Sequence, residues 1–128
     1  MDALAVVRGD ERNDALLLRI ALAEQRLPER AADFTAHRRA LADRFDAARQ
    51  RGDSLHRREE ARFRLAIEHD AKGALALAEA NWQVQREPAD RRILLEAAEA
   101  AGDTATVRSV AGWDRDARVA VARTGSRR

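Results

Sequence analysis

The sequence predicts an all-α protein of about six helices, and three properties of its composition support this. Of its 128 residues, 45% are hydrophobic and 36% are charged, whereas soluble domains average about 25% charged residues. Alanine, leucine, glutamate and arginine dominate, and all four are good helix formers. Only six glycines and two prolines are present and β-branched residues are sparse, which leaves few residues that favour strands and tight turns.

The chain divides into three regions by its apolar pattern. Residues 1–12 end in a polar run and are predicted to form a flexible lead-in. Residues 13–112 carry helical periodicity and have the length of one domain with one core. In residues 113–128 the charge alternates before a Gly-, Ser- and Arg-rich end, which predicts a frayed helix and a disordered basic tail.

The first helix is apolar around most of its circumference. It is predicted to begin at Asn13 or Asp14, which are good N-caps, and to run to Leu27 before Pro28 ends it. We therefore expect it to be well buried. Its apolar residues are Leu16, Leu17, Leu18, Ile20, Ala21, Ala23 and Leu27.

The second and third helices each carry apolar residues on one side. A second helix is predicted over Glu29–Arg51, with a narrow apolar seam on an otherwise charged surface. The seam consists of Phe34, Leu41, Phe45 and Ala48. Gly52 and Asp53 then end this helix and cap a third one, which is predicted to reach His69. Its apolar side consists of Leu55, Phe63, Ala66 and Ile67.

The last three helices begin or end at recognisable caps. Asp70 predicts the start of a fourth helix over residues 71–86, in which Trp82 continues an apolar stripe and is interpreted as a core anchor. A fifth helix is predicted over residues 89–101. The Gly102-Asp103 turn is expected to end it and to cap a short sixth helix.

Two internal echoes indicate a repeat. Asp70 and Asp103 are 33 residues apart (103 − 70), and each precedes a predicted helix. Residues 14–24 also align without gaps on residues 90–100. The alignment matches Asp14 with Asp90, Leu18 with Leu94 and Ala21 with Ala97. These helices are therefore predicted to occupy equivalent structural positions.

The repeat region also resembles a known family. The residues that carry the resemblance are Arg58-Glu-Glu-Ala-Arg-Phe63, Asn81-Trp-Gln-Val-Gln-Arg-Glu-Pro-Ala-Asp90, Leu94-Leu-Glu-Ala-Ala98 and the Gly102-Asp103 turn. With a period near 33 or 34 residues, residues 13–110 resemble the repeat region of uncharacterised bacterial tetratricopeptide-type proteins. The chain departs from that pattern at Arg62 and Leu95, where the family has a small residue.

The resemblance implies a short α-solenoid of antiparallel helical hairpins that binds other proteins. In such stacks the first helix of each hairpin lines a groove, so Arg58, Arg62 and Arg92 are expected to face a peptide or helix of a partner, and an acidic peptide suits them. An end helix normally has a polar outer face. The apolar first helix therefore predicts either self-association or a longer chain that supplies a cap.

Catalytic and metal-binding signatures are absent from the sequence. It has no cysteine, no Gly-x-Ser-x-Gly elbow and no Gly-rich phosphate loop. His37, His56 and His69 lie on three different predicted segments, without the spacing of metal ligands. Glu59-Glu60 with His56 could form an acid/base cluster, but carboxylates at a helix start are more often capping groups. The sequence predicts no enzyme, cofactor or metal site.

Arginine is concentrated in the middle of the chain, and this raises nucleic-acid binding as the alternative function. The concentration consists of Arg38, Arg39, Arg44, Arg49, Arg51, Arg57, Arg58, Arg62 and Arg64. Across the chain, however, 24 basic residues are nearly balanced by 22 acidic ones, and the net charge is only +2. Protein binding is therefore the favoured prediction, with nucleic acid second.

Neither end of the sequence carries a targeting signal. Residues 1–7 are too short and lack the basic flank of a signal peptide, and no apolar run approaches the roughly 18 residues of a membrane span. The sequence therefore predicts no membrane insertion and a cytoplasmic location by default.

Overall fold

The computed structural model describes the backbone of residues 3–113 and the side chains of residues 13–113. All regular structure in this part of the chain is helical, so the all-α prediction is confirmed there. A single turn of 3-10 helix, Pro28–Arg30, precedes the second α-helix. The α-helices are α1 (Ala3–Glu24), α2 (Ala31–Gln50), α3 (Arg57–Ala66), α4 (Ala71–Trp82), α5 (Pro88–Ala101) and α6, which covers 104–113 of the described residues.

Helix α3 is at the centre of the packing. It contacts α1 on one side and α4 and α5 on the other, while α1 also packs on α2 and α4 on α5. Two apolar clusters result, and α3 contributes to both. The first cluster consists of Leu18, Ala21, Leu41, Phe45, Phe63 and Ile67. The second cluster consists of Ala61, Ala78, Trp82, Ile93, Leu94 and Val110.

Aromatic side chains anchor both clusters. The rings of Phe45 and Phe63 lie 5.4 Å apart, centroid to centroid, and join α2 to α3. The prediction that Trp82 is a core anchor is confirmed: Trp82 is buried in the second cluster and Trp113 meets it edge to face at 5.4 Å. The Arg86 guanidinium lies 5.0 Å from the centre of the same ring. Such aromatic pairs contribute about 0.5–1.5 kcal/mol beyond the area they bury.

The two aspartates that are 33 residues apart both cap helices, as the sequence predicts. The Asp70 carboxylate accepts the Gly73 backbone N–H at 2.9 Å, and the Asp103 carboxylate accepts the Thr106 N–H at 3.1 Å. These backbone hydrogen bonds lower the pKa of Asp70 and of Asp103 below their usual value. The equivalence of the two helix starts is thus reproduced in the structure.

The aligned segments have matching burial. Leu18 and Leu94 are both core residues, as are Ala21 and Ala97. The two aspartates of the alignment, Asp14 and Asp90, are also both buried. Both pair with an arginine from another helix: Arg44 donates to Asp14 and Arg58 donates to Asp90.

The predicted start of α1 is wrong. The helix begins at Ala3 rather than at Asn13 or Asp14, so residues 3–12, expected to be a flexible lead-in, have helical backbone. Asp14 does not act as a cap, because its side chain faces Arg44 of α2 at 2.6 Å. The predicted tail of residues 113–128 lies, from residue 114 on, outside the described residues.

The deep burial predicted for α1 and the apolar side predicted for the third helix are wrong in part. Leu16, Ile20 and Leu27 are exposed, because α1 packs only on α2 and α3, on the side of Leu18 and Ala21. Leu55 is exposed in the turn before α3. There the Leu55 backbone N–H donates to the Asp53 side chain at 2.9 Å, which delays the helix start to Arg57.

The boundary between α4 and α5 differs from the prediction because Pro88 starts a helix rather than ending one. Helix α4 ends at Trp82, and Pro88 is the first residue of α5, where its missing N–H costs no hydrogen bond. Glu87 and Asp90 form a reciprocal capping box at this start.

The end of α5 provides a test of backbone conformation. Gly102 has φ +73, and a Cβ added there would meet no atom within 4 Å. Replacing Gly102 with Ala therefore has only a backbone cost, and we expect a loss of about 1–2 kcal/mol in the free energy of unfolding. Chemical denaturation measures this loss. Gly73→Ala is the opposite case, since its Cβ would lie 2.2 Å from the Asp70 carboxylate.

Candidate functional site

The three arginines predicted to face a partner lie on the adjacent helices α3 and α5. Arg58 and Arg62 are half-buried on α3, one turn apart, and Arg92 is exposed on α5. The structure brings the two α3 arginines against carboxylates of α5. Arg92 has no ion pair with any residue that the structure describes.

Arg58 is held by carboxylates at the start of α5. Its Nη1 lies 3.3 Å from Asp90 Oδ1 and 3.3 Å from Glu87 Oε2, and its Nε lies 3.6 Å from Glu59 Oε1. Burial alone would lower the pKa of Arg58, but the charges of Glu59, Asp90 and Glu87 outweigh it and raise the pKa. Arg58 is therefore a structural counter-ion before it can be a partner contact.

Asp90 explains why Arg58 is needed. Its side chain is 0% exposed and accepts from Asn81 Nδ2 at 2.7 Å and from the Glu87 backbone N–H at 2.9 Å. A buried carboxylate is stable only when its oxygens are paired or hydrogen-bonded. Arg58 supplies the positive charge, so the three groups tie α3, α4 and α5 together.

Arg62 connects α3 to both neighbouring helices. It pairs with Glu96 of α5 on one side, and on the other side it lines a cleft between α1 and α3. About a third of its side chain remains exposed, and Glu96 is more exposed still. In such an exposed pair the carboxylate contributes roughly 0–1 kcal/mol, so a stronger acidic partner can displace it.

The cleft between α1 and α3 has a volume of about 430 Å³. It combines an aliphatic surface with hydrogen-bonding and cationic groups. Its lining residues are Leu22, Ala23, Gln25, Arg26, Arg62 and Ala66. At its end the Gln25 side-chain amide donates to the Ala66 carbonyl at 3.0 Å, which fixes the end of α1 against the end of α3.

Arg26 is the second cation of this cleft. It is exposed beyond the end of α1, and it forms no ion pair with a residue of the described part of the chain. Sequence reasoning named Arg62 but missed Arg26. The available signal was its position: Arg26 follows the buried residues Leu18 and Ala21 at a spacing that places it on the edge of α1 facing α3.

Most of the arginine concentration is neutralised by carboxylates. Six of its nine members form ion pairs within the described residues, which leaves Arg39, Arg51 and Arg57 without one. The pairs are Arg38–Glu68, Arg44–Asp14, Arg49–Glu60, Arg58–Asp90, Arg62–Glu96 and Arg64–Asp70. The hydrogen bond from Arg38 lowers the pKa of Glu68 accordingly. This pairing removes much of the positive field that nucleic-acid binding requires.

The histidines are dispersed, as their sequence positions indicate. His37 contacts Glu24 at 2.6 Å, and His69 is exposed with φ 55 in the turn between α3 and α4. His56 is buried, with Nδ1 3.6 Å from Asp14 and Nε2 3.4 Å from Asp53. A search of the described residues finds no group of three or more His, Cys, Asp or Glu side chains that could hold a metal ion.

The suggested acid/base cluster of Glu59, Glu60 and His56 does not form an active-site arrangement. Glu60 is buried between Arg49 and Arg64, at 3.4 and 3.2 Å, and His56 faces the aspartates instead. Among the described residues, every buried side-chain nitrogen and oxygen has a hydrogen-bond partner. These groups are therefore accounted for by structural pairing.

No family model, curated protein or solved structure matches the chain. Among the described helices, none is both long enough and apolar enough to cross a membrane.

Proposed function

We propose that this protein is a non-enzymatic scaffold that binds an acidic peptide or helix of a partner protein in the cleft between α1 and α3. The observation that carries the proposal is the cleft itself, about 430 Å³ with an aliphatic wall and two guanidinium groups. Arginine suits this task because its planar donors pair bidentately with carboxylates.

The arrangement of the helices supports a tetratricopeptide-like stack. Helix α3 contacts both α1 and α5, which are the first helices of their hairpins. The caps Asp70 and Asp103 stand one repeat apart, and the aligned core positions have equal burial. In a stack of this kind the first helices share one face, and that face is where partners bind.

The three arginines then have unequal roles in binding. Arg62 lines the cleft and its pairing with Glu96 is exposed, so it is the principal contact together with Arg26. Arg58 is committed to Asp90, and its removal would disturb the fold. Arg92 is exposed on α5 and would contact only a partner that extends beyond the cleft.

Selection from a displayed library of random peptides tests the proposal. We expect the selected peptides to be enriched in Asp and Glu next to an apolar residue, and Arg26→Glu to weaken their binding about tenfold or more, as loss of one charged contact does. Arg39→Glu is the matched control, because Arg39 is also exposed and unpaired within the described residues but lies on α2.

Two outcomes would contradict the proposal. One is a selected set without acidic residues. The other is an equal loss of binding in the Arg26→Glu and Arg39→Glu proteins, which would indicate a general charge effect. Tight binding of a DNA or RNA duplex with a steep salt dependence would favour the nucleic-acid alternative instead.

A further inference from the structure

The outer face of α1 is an exposed apolar stripe. Leu16 is 55% exposed and Ile20 is 40% exposed, and Ala23 is exposed beside them. Leu27, which follows the end of the helix, is 42% exposed. On the opposite side of α1, Leu18 and Ala21 are buried in the first cluster. The stripe therefore points away from the protein's own core.

The stripe has the spacing of a coiled-coil seam. Asn13, Leu16, Ile20 and Ala23 succeed one another at intervals of three, four and three residues, and Leu27 follows after four more. In heptad notation Asn13, Ile20 and Leu27 occupy a positions, while Leu16 and Ala23 occupy d positions. Ile at a with Leu at d favours two parallel strands.

The residues that flank the seam argue for a second copy of this chain as the occupant. Arg19 and Arg26 occupy the g positions, both exposed and without an ion pair among the described residues, and Glu24 occupies an e position. In a parallel pair the g residue of one helix approaches the next e residue of the other, so Arg19 meets Glu24 of the second copy. This contact is attractive and occurs twice.

The same charges disfavour an antiparallel pair. If Leu16 of one helix lay against Leu27 of the other, Arg19 would approach Arg26 of the second copy, and like charges would meet twice. Asn13 adds to the preference. A single Asn at an a position selects a parallel register in which it faces its own counterpart, at some cost in stability.

We propose that two copies of this chain associate in parallel through the outer face of α1, with Asn13, Leu16, Ile20 and Ala23 forming the shared seam. Helix α1 has 22 residues and is about 33 Å long. This is enough for about three heptads, so the dimer is expected to be weak and reversible. The pairing does not depend on what the cleft binds.

Sedimentation equilibrium over a concentration series tests the association. The unmodified chain is expected to approach twice its monomer mass at high concentration. Ile20→Asp should weaken dimerisation at least tenfold, because it places a charge in the seam, with an unchanged helical circular dichroism spectrum. Val84→Asp is the matched control: Val84 is 69% exposed in the loop after α4, so its replacement should leave the mass distribution unchanged.

Cysteine cross-linking tests the orientation and does not rely on the Ile20 variant. The chain has no cysteine of its own. In a parallel dimer Asn13→Cys forms an intermolecular disulfide under mild oxidation, since facing a positions lie within the Cα separation of about 4.4–6.8 Å that a disulfide needs. In the antiparallel register the two Cα atoms would be roughly 25 Å apart along the helix axes.

Each outcome decides the proposal. Cross-linking of Asn13→Cys, with none for Val84→Cys, supports the parallel dimer. A chain that remains monomeric throughout the concentration series overturns it, and so does a dimer that Ile20→Asp leaves intact. A dimer that Asn13→Cys cannot cross-link overturns the parallel arrangement.

Discussion

Replacing Asp90 with Ala is expected to destabilise the protein by about 3–5 kcal/mol, the cost of removing one member of a buried charge pair. Three groups lose their partner at once: the Asn81 side-chain amide, the Glu87 backbone N–H and the Arg58 guanidinium. Since domains are stable by only about 5–15 kcal/mol, this loss is a large fraction of the total. Urea denaturation followed by circular dichroism measures it.

Asp103→Ala is the comparison for this variant. Asp103 is also an aspartate at a helix start, but it is only partly buried and serves as a cap, so its loss is expected to cost about 1 kcal/mol. Equal effects of the two substitutions would contradict the role assigned to the Asp90 network. Asp90→Asn should fall between them, because it keeps the shape of the side chain but not the charge that Arg58 requires.

Phe45→Ala is expected to cost about 3–5 kcal/mol, because it opens a cavity in the first cluster. Phe45 is only 2% exposed and contacts the Phe63 ring, which is the aromatic link between α2 and α3. The free energy of unfolding again provides the measurement. Local disorder of α2 would accompany the loss, and amide hydrogen exchange along residues 31–50 reports it.

Phe34→Ala controls for the loss of an aromatic residue from α2. Phe34 packs only at the edge of the same cluster and is partly exposed, so its replacement should cost clearly less than that of Phe45. If both substitutions had the same small effect, α2 would not be held to the rest of the protein through Phe45.

Local signals in the sequence were sufficient for most helix ends. The caps at Asp70 and Asp103 and the left-handed glycine at Gly102 each depend on residues within one turn of themselves. The core position of Trp82 follows from helical spacing alone. The start of α1 failed because Asn13 and Asp14 resemble caps, whereas the partner that decides the role of Asp14 is Arg44, 30 residues away.

Long-range pairing is also what the sequence could not reveal about the candidate site. Arg58 and Arg62 were correctly expected on one helix, but the carboxylates opposite them are those of Asp90 and Glu96 on another. A sequence shows the arginines as a positive concentration, whereas the fold turns most of them into counter-ions. The cleft was missed because it requires the contact between α1 and α3, whose residues lie about 40 positions apart.

The sharing of α3 between the two apolar clusters makes the chain indivisible. A cut in the turn between α2 and α3 would leave an N-terminal fragment without Phe63 and Ile67, and its cluster would open to water. A cut between α3 and α4 would deprive the C-terminal fragment of Ala61 and of the arginine that neutralises Asp90. Neither fragment keeps a closed core, so the smallest folding unit must contain helices from both sides of α3.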